Sequence, residues 1–179
     1  VRDERGAPRG FSLLELLIVI VIISVLSLVA IDRLLRLRFE AERVMVESML
    51  SGLRSALYIE FAGAAARGRS DAMALEATGG NPMKLLSERP DTYAGEYAAA
   101  DPGSVAPGSW YFDTKARHLV YVVRFPEQFS SALPGPARAR WRVEPDYDDR
   151  DGNGRFEPGR DSARGLRLVA VEPYQWRER

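Results

Sequence analysis

Between Leu16 and Ile31 the chain carries no charged residue, only Leu, Ile, Val, Ala and the two serines Ser24 and Ser27. Extended back to Phe11, the stretch is 21 residues long and is interrupted once, by Glu15. As a helix it spans roughly 31 Å, about the hydrocarbon thickness of a bilayer. A secretory signal peptide has a shorter apolar run and a small-residue cleavage site, and Leu28 breaks an A-x-A pattern ending at Ala30. A buried core helix is rarely apolar on every side. Two readings remain open, a simple membrane anchor and a specialised helix. The anchor leaves Glu15 unexplained, because a carboxylate inside a bilayer costs on the order of a few kcal/mol.

The flanks narrow the choice. Val1 to Gly10 forms a short segment holding Arg2, Arg5 and Arg9, and Asp32 is followed by Arg33, Arg36 and Arg38. At the junction stands Arg9-Gly10-Phe11-Ser12-Leu13-Leu14-Glu15-Leu16-Leu17. This string resembles the class III leader of type IV prepilins and type II secretion pseudopilins: a charged leader ending in Gly, then Phe, Ser or Thr, a Glu, and a long apolar helix. The resemblance covers about the first thirty residues. It implies cleavage between Gly10 and Phe11 by prepilin peptidase, and methylation of the new Phe11 amine. It also implies a role for Glu15, as partner of the Phe11 amine of a neighbouring subunit during assembly. A carboxylate buried among packed helices needs such a counter-charge. The alternative for Glu15 is snorkelling towards the interface. Many major pilins have a proline where Asp32 stands, so the resemblance leans towards a minor pilin or pseudopilin.

Beyond Arg38 the apolar character contracts to a stripe. Leu35, Phe39, Val46, Leu50, Leu53, Leu57, Phe61 and Ala64 recur mostly every three or four residues, with Arg33, Arg36, Glu40, Glu42, Arg43, Glu47, Arg54 and Glu60 between them. No proline falls between Phe11 and Ala66. The pattern predicts one helix from Phe11 to Ala66, its second half laying an apolar face on a globular head.

The remainder, 68–179, reads as that head. Asp71 to Ala77 predicts a short helix stopped by Gly79-Gly80, and Asn81-Pro82 caps another turn over Met83 to Ser87. Pro90 to Pro107 reads as loop. Ser109–Phe112 and His118–Phe125 predict a hairpin turning over Asp113–Arg117. Arg138–Glu144 and Leu166–Glu172 predict two further strands, with Pro126–Pro136 as a connection. The expected fold is α+β, a long amino-terminal helix packed on a small antiparallel sheet of about four strands. Its parts are a leader (1–10), an apolar assembly helix (11–33), an amphipathic continuation (34–67) and the head. The segments Asn81–Leu86, Tyr93–Glu96 and Pro107–Asp113 are similar to loops that precede the first hairpin in some pilin-like heads.

Loop 146–161 carries Asp149, Asp151 and Asn153 at alternate positions with Gly154 next, the opening half of an EF-hand-like calcium loop. Arg155 would offer its backbone carbonyl and Glu157 stands at the ninth position. The twelfth is Arg160 rather than an acid, and a non-standard loop would recruit Asp161, one residue later. Asp146, Asp148, Asp149 and Asp151 repel one another unless calcium, or Arg150, Arg155 and Arg160, intervenes. The other reading is a solvated turn.

Composition excludes several functions. The absence of cysteine rules out disulfides, zinc-thiolate centres and cysteine nucleophiles. Twenty-five basic against twenty-five acidic residues give no net charge and no sign of nucleic-acid binding. His118 is the only histidine, so two-histidine metal sites are excluded, and its place beside a turn predicts a surface position. No catalytic fingerprint appears, and Trp110, Tyr111, Trp141, Tyr174 and Trp176 read as sheet packing.

The expected protein is therefore not an enzyme. The resemblance implies a structural subunit of a type IV pilus-like or type II secretion pseudopilus filament. It would be held in the bacterial inner membrane with a periplasmic head, then assembled into a periplasmic or extracellular filament. Implied partners are other pilin or pseudopilin subunits, prepilin peptidase, an inner-membrane assembly platform, and membrane lipid before assembly. Two other classes stand beside it: a single-pass membrane-anchored calcium-binding module that does not polymerise, and an anchored enzyme.

Overall fold

The computed structural model describes residues 11–177, so the leader 1–10, with Gly10, lies outside the described residues. The chain divides into two compact units, Val1–Glu40 and Ala41–Arg179. Helix α1, Leu13–Ala66, starts in the first and ends in the second. Ser12 caps its start: the Ser12 hydroxyl accepts the Glu15 N–H at 3.1 Å. Ser24, alone among apolar neighbours, satisfies its hydroxyl by donating to the Ile20 carbonyl at 2.7 Å. From Phe11 to Leu35 every residue is exposed within the chain. Such a surface needs lipid or other protein to cover it.

In the second unit α1 becomes one wall of a core. Val46, Leu50, Leu53, Leu57, Phe61 and Ala64 are buried, whereas Leu35, expected in the same stripe, is exposed and Phe39 is half-buried. The helix stops where Gly68 takes a left-handed conformation (φ 68°), its N–H returning to the Ala65 carbonyl at 2.9 Å. Helix α2, Ser70–Ala77, follows. A 3-10 turn over Pro82–Leu85 comes next, capped by Asn81, whose side chain accepts the Met83 N–H.

Among the described residues seven strands follow: β1 Tyr93–Tyr97, β2 Trp110–Asp113, β3 His118–Val122, β4 Phe129–Ser131, β5 Arg138–Asp148, β6 Ser162–Ala170 and β7 Tyr174–Trp176. Five form a sheet in the order β1-β2-β3-β5-β6, and β4 pairs with β7 in a second sheet. All pairs are antiparallel except β1 with β2. The two-residue period of the strands sorts their side chains. Trp110, Phe112, Leu119, Tyr121, Trp141, Val143 and Leu168 join the α1 stripe in the main core. Tyr111, Val120 and Val122 point the other way and form a smaller cluster with Val105.

The α+β layout is as the sequence predicts, but there are seven strands where about four were expected. Tyr93–Tyr97, inside the expected loop 90–107, is a strand because it pairs with β2, Tyr93 opposite Trp110. Phe129–Ser131, inside the expected connection 126–136, is a strand because β7 brings Trp176 opposite Phe129. The strands β5 and β6 run further into the acidic segment than expected, which leaves residues 149–161 as the loop and puts Asp146 and Asp148 on β5.

Candidate functional site

At the amino end, Phe11 is 74 % exposed and Glu15 stands exposed in the first turn of α1. Within the chain Glu15 has a local role. With Ser12 three residues before it, the pair forms the S-x-x-E signature of a helix start, and a carboxylate there complements the positive end of the helix dipole. The side chains of Phe11 and Glu15 are thus both presented outward.

A second acid was misread from its pattern. Glu42, placed by sequence on the polar side of α1, is 5 % exposed. Its Oε1 accepts the Tyr121 hydroxyl at 2.8 Å and the Arg124 N–H at 2.6 Å, and its Oε2 accepts the Phe125 N–H at 3.0 Å. One carboxylate thereby holds the end of β3 and the turn that follows it. Three donors on two oxygens satisfy a group that burial would otherwise penalise. Burial, then the bond to Glu42 and its charge, push the Tyr121 hydroxyl well above the ordinary tyrosine value. The signal was available: Glu42 lies four and eight residues before Val46 and Leu50, on the buried face.

The loop between β5 and β6 converges on two carboxylates. Asp149 accepts the N–H groups of Gly152 (2.8 Å), Asn153 (3.2 Å) and Gly154 (2.8 Å). These bonds, that from Gly154 foremost, hold the Asp149 carboxyl below the usual range. Gly152 and Gly154 permit the inward turn by adopting φ of 71° and 72°. Asp161, 2 % exposed, accepts the N–H groups of Arg150 at 3.1 Å and Glu157 at 2.8 Å. Tyr147 and Phe156, with ring centroids 5.2 Å apart, fasten the loop to β5.

Of the six residues predicted to bind a cation, Asp149, Asp151 and Asp161 offer oxygens within 4.8 Å of one another. Asn153, Glu157 and Arg155 also have contacts of their own. The Asn153 carbonyl oxygen accepts the Arg155 N–H at 2.7 Å, and the Asn153 amide donates to Asp151 at 3.0 Å. Glu157 is ion-paired with Arg160 at 3.0 Å. Arg155 lines a groove together with Gly154 and Phe156 of the loop. Arg160 also stands 3.8 Å from Asp151 and supplies part of the positive charge the loop requires. The three clustered carboxylates are hard oxygen donors of the kind calcium takes.

His118, expected at the surface, is half-buried at the start of β3. Its Nδ1 is buried without a hydrogen-bond partner among the described residues. Burial first, then the charges of Arg140 and Arg142, press its pKa below the ordinary value.

Residues 5–31 match the family described as the prokaryotic N-terminal methylation motif. No curated protein and no solved structure matches the chain significantly. Helix α1 contains an apolar stretch long enough to cross a membrane, and none of that stretch is buried within the chain. The motif and the helix together fit a membrane-anchored pilin. The Gly10-Phe11 junction, the capping Ser12, Glu15 and the uncovered apolar helix make the amino-terminal segment that of a type IV pilin-like prepilin.

Proposed function

We propose that this chain is a structural subunit of an extracytoplasmic filament of the type IV pilus or type II secretion pseudopilus kind. Prepilin peptidase cuts between Gly10 and Phe11, and the Phe11 amine is methylated. The subunit rests in the inner membrane, head in the periplasm, until an assembly platform draws its helix into a bundle of like helices. The supporting observation is the state of α1. The 21 residues from Phe11 carry one charge, that of Glu15, and no other described part of the chain covers them.

The second half of α1 adds support. Opposite its buried stripe lie Ala41, Val44, Met45, Ser48, Gly52, Ser55, Ile59 and Ala62, all exposed and none charged. Glu42 lies within the core-facing stripe, and the other charged residues, Arg43, Glu47, Arg54 and Glu60, fall at its flanks, by position on the helix. A solvated helix keeps its charges on the outer side; an uncharged, partly apolar outer side suits the approach of another helix.

Replacing Glu15 by Leu tests the reading. The variant should be stored in the membrane at normal level yet fail to enter filaments, and Glu15→Asp should restore part of the loss. Mass spectrometry of the mature protein should find Phe11 at the amino terminus with one added methyl group. Normal function of Glu15→Leu without filaments would identify a non-polymerising anchored module instead.

The carboxylates of Asp149, Asp151 and Asp161 favour one addition: the head binds a calcium ion at this loop. Calcium would join the strand ends and replace the partial neutralisation given by Arg160. Isothermal titration with calcium should show one site, lost in Asp151→Asn.

A further inference from the structure

Behind the 149–161 loop lies an open groove of about 590 Å³, lined by α2, the β2–β3 turn, β5, β6 and the loop itself. Four arginines line it, Arg117, Arg142, Arg155 and Arg167, against one acid, Glu144. In a chain whose charges balance to zero, this is a local excess of positive charge. The four arginines are not equivalent. Arg117 is fixed by donating to the Gly79 and Thr78 carbonyls at 3.1 and 2.6 Å, and Arg142 is ion-paired with Glu144. The side chains of Arg155 and Arg167 are exposed, with no hydrogen bond or ion pair among the described residues. The same groove has apolar lining: Leu75, 56 % exposed, with Pro145, Tyr147 and Phe156.

We infer that this groove is a docking site for an acidic peptide segment of another protein. The two unpaired guanidinium groups donate to two carboxylates in bidentate fashion. The apolar lining takes an aliphatic or aromatic side chain from the same segment. The lining selects against a dense polyanion, because only two of the four cations are free and Glu144 faces the same space. It selects against a purely apolar ligand, because burying two unpaired guanidinium groups is costly. The volume accommodates a few side chains, within the range of binding clefts.

The test is fluorescence anisotropy with the detergent-solubilised full chain and a fluorescein-labelled peptide of alternating glutamate and phenylalanine. Controls are the peptide with glutamine in place of glutamate, and a short DNA duplex. The acidic peptide should bind, more weakly as salt rises, and the glutamine peptide and the duplex should bind at least about tenfold less tightly. Replacing Arg155 and Arg167 together by glutamine should weaken acidic-peptide binding at least about tenfold, with the melting curve unchanged, since neither side chain has an internal partner. Lysine at both positions should recover part of the affinity, and Arg89→Gln, outside the groove, should leave it intact. Equal binding by the double glutamine variant, equal or tighter binding of the duplex, or no binding of the acidic peptide would overturn the assignment.

Discussion

Glu42 on α1 and Tyr121 on β3 meet inside the head, the tyrosine hydroxyl donating to the carboxylate at 2.8 Å. The same carboxylate receives the N–H groups of Arg124 and Phe125, so the helix holds the sheet through polar bonds as well as packing. Glu42→Ala strands three donors and should destabilise the head by about 2–4 kcal/mol. Glu42→Gln keeps one acceptor and should cost less. In a double-mutant cycle, Tyr121→Phe should be nearly harmless once Glu42 is alanine. Chemical denaturation followed by tryptophan fluorescence measures all four chains, and an unchanged midpoint for Glu42→Ala would refute the anchoring role.

The Tyr121 hydroxyl ionises less readily folded than unfolded, because of its burial and its acidic partner. The unfolded chain therefore releases this proton first. Stability should be unaffected below the ordinary tyrosine value of about 10 and fall as pH rises beyond it. Tyr93, Tyr111 and Tyr174 are shifted the same way, chiefly by burial. Phenolate absorbance during alkaline titration should rise in step with loss of the fold. Smooth early titration of all the tyrosines would contradict this.

At the acid end, His118 is the group to watch. Its folded pKa is depressed by burial and by Arg140 and Arg142, so the unfolded chain takes up its proton first. Stability should decline as pH falls below about 6.5, until the folded form also protonates. His118→Gln should flatten that part of the profile. A wild-type profile level between neutral and mildly acidic pH would count against it.

Asp161 is structural whether or not a cation binds, since it accepts the N–H groups of Arg150 and Glu157 at a buried position. Asp161→Ala should lower stability by about 1–3 kcal/mol even in chelator. Asp151→Asn should cost little in chelator and abolish any stabilisation by calcium. Melting temperatures of the three chains, in calcium and in chelator, separate the two effects. If calcium leaves the wild-type melting temperature unchanged, the loop is a turn and no more.

Elements set by local chemistry were legible in the chain. The apolar run, the periodic stripe and the absence of proline mark α1 to within two residues of its observed start, Leu13. The dense β-branched and aromatic run of β3 announces itself in the same way. The strands that escaped notice depend on distant partners. Tyr93–Tyr97 contains two small residues and an exposed acid and becomes a strand only alongside Trp110. Phe129–Ser131 needs residues 174–176 to close its ladder. The cation loop was half legible. The spacing named Asp149, Asp151 and Asp161, but not that Asp161 is buried and held by the N–H groups of Arg150 and Glu157. Glu42 was missed because a charge was taken as a sign of solvent, although its spacing to Val46 placed it inside.

The aromatic wall has a consequence for how the head is made. Tyr174 packs edge-on against Trp141 with ring centroids 5.5 Å apart, and Trp176 against Phe129 at 4.9 Å. Both lie after every strand of the large sheet in chain order. A head built in chain order would therefore keep its core open on one side until residue 176 had been added, and would expose that apolar face to other chains in the interval.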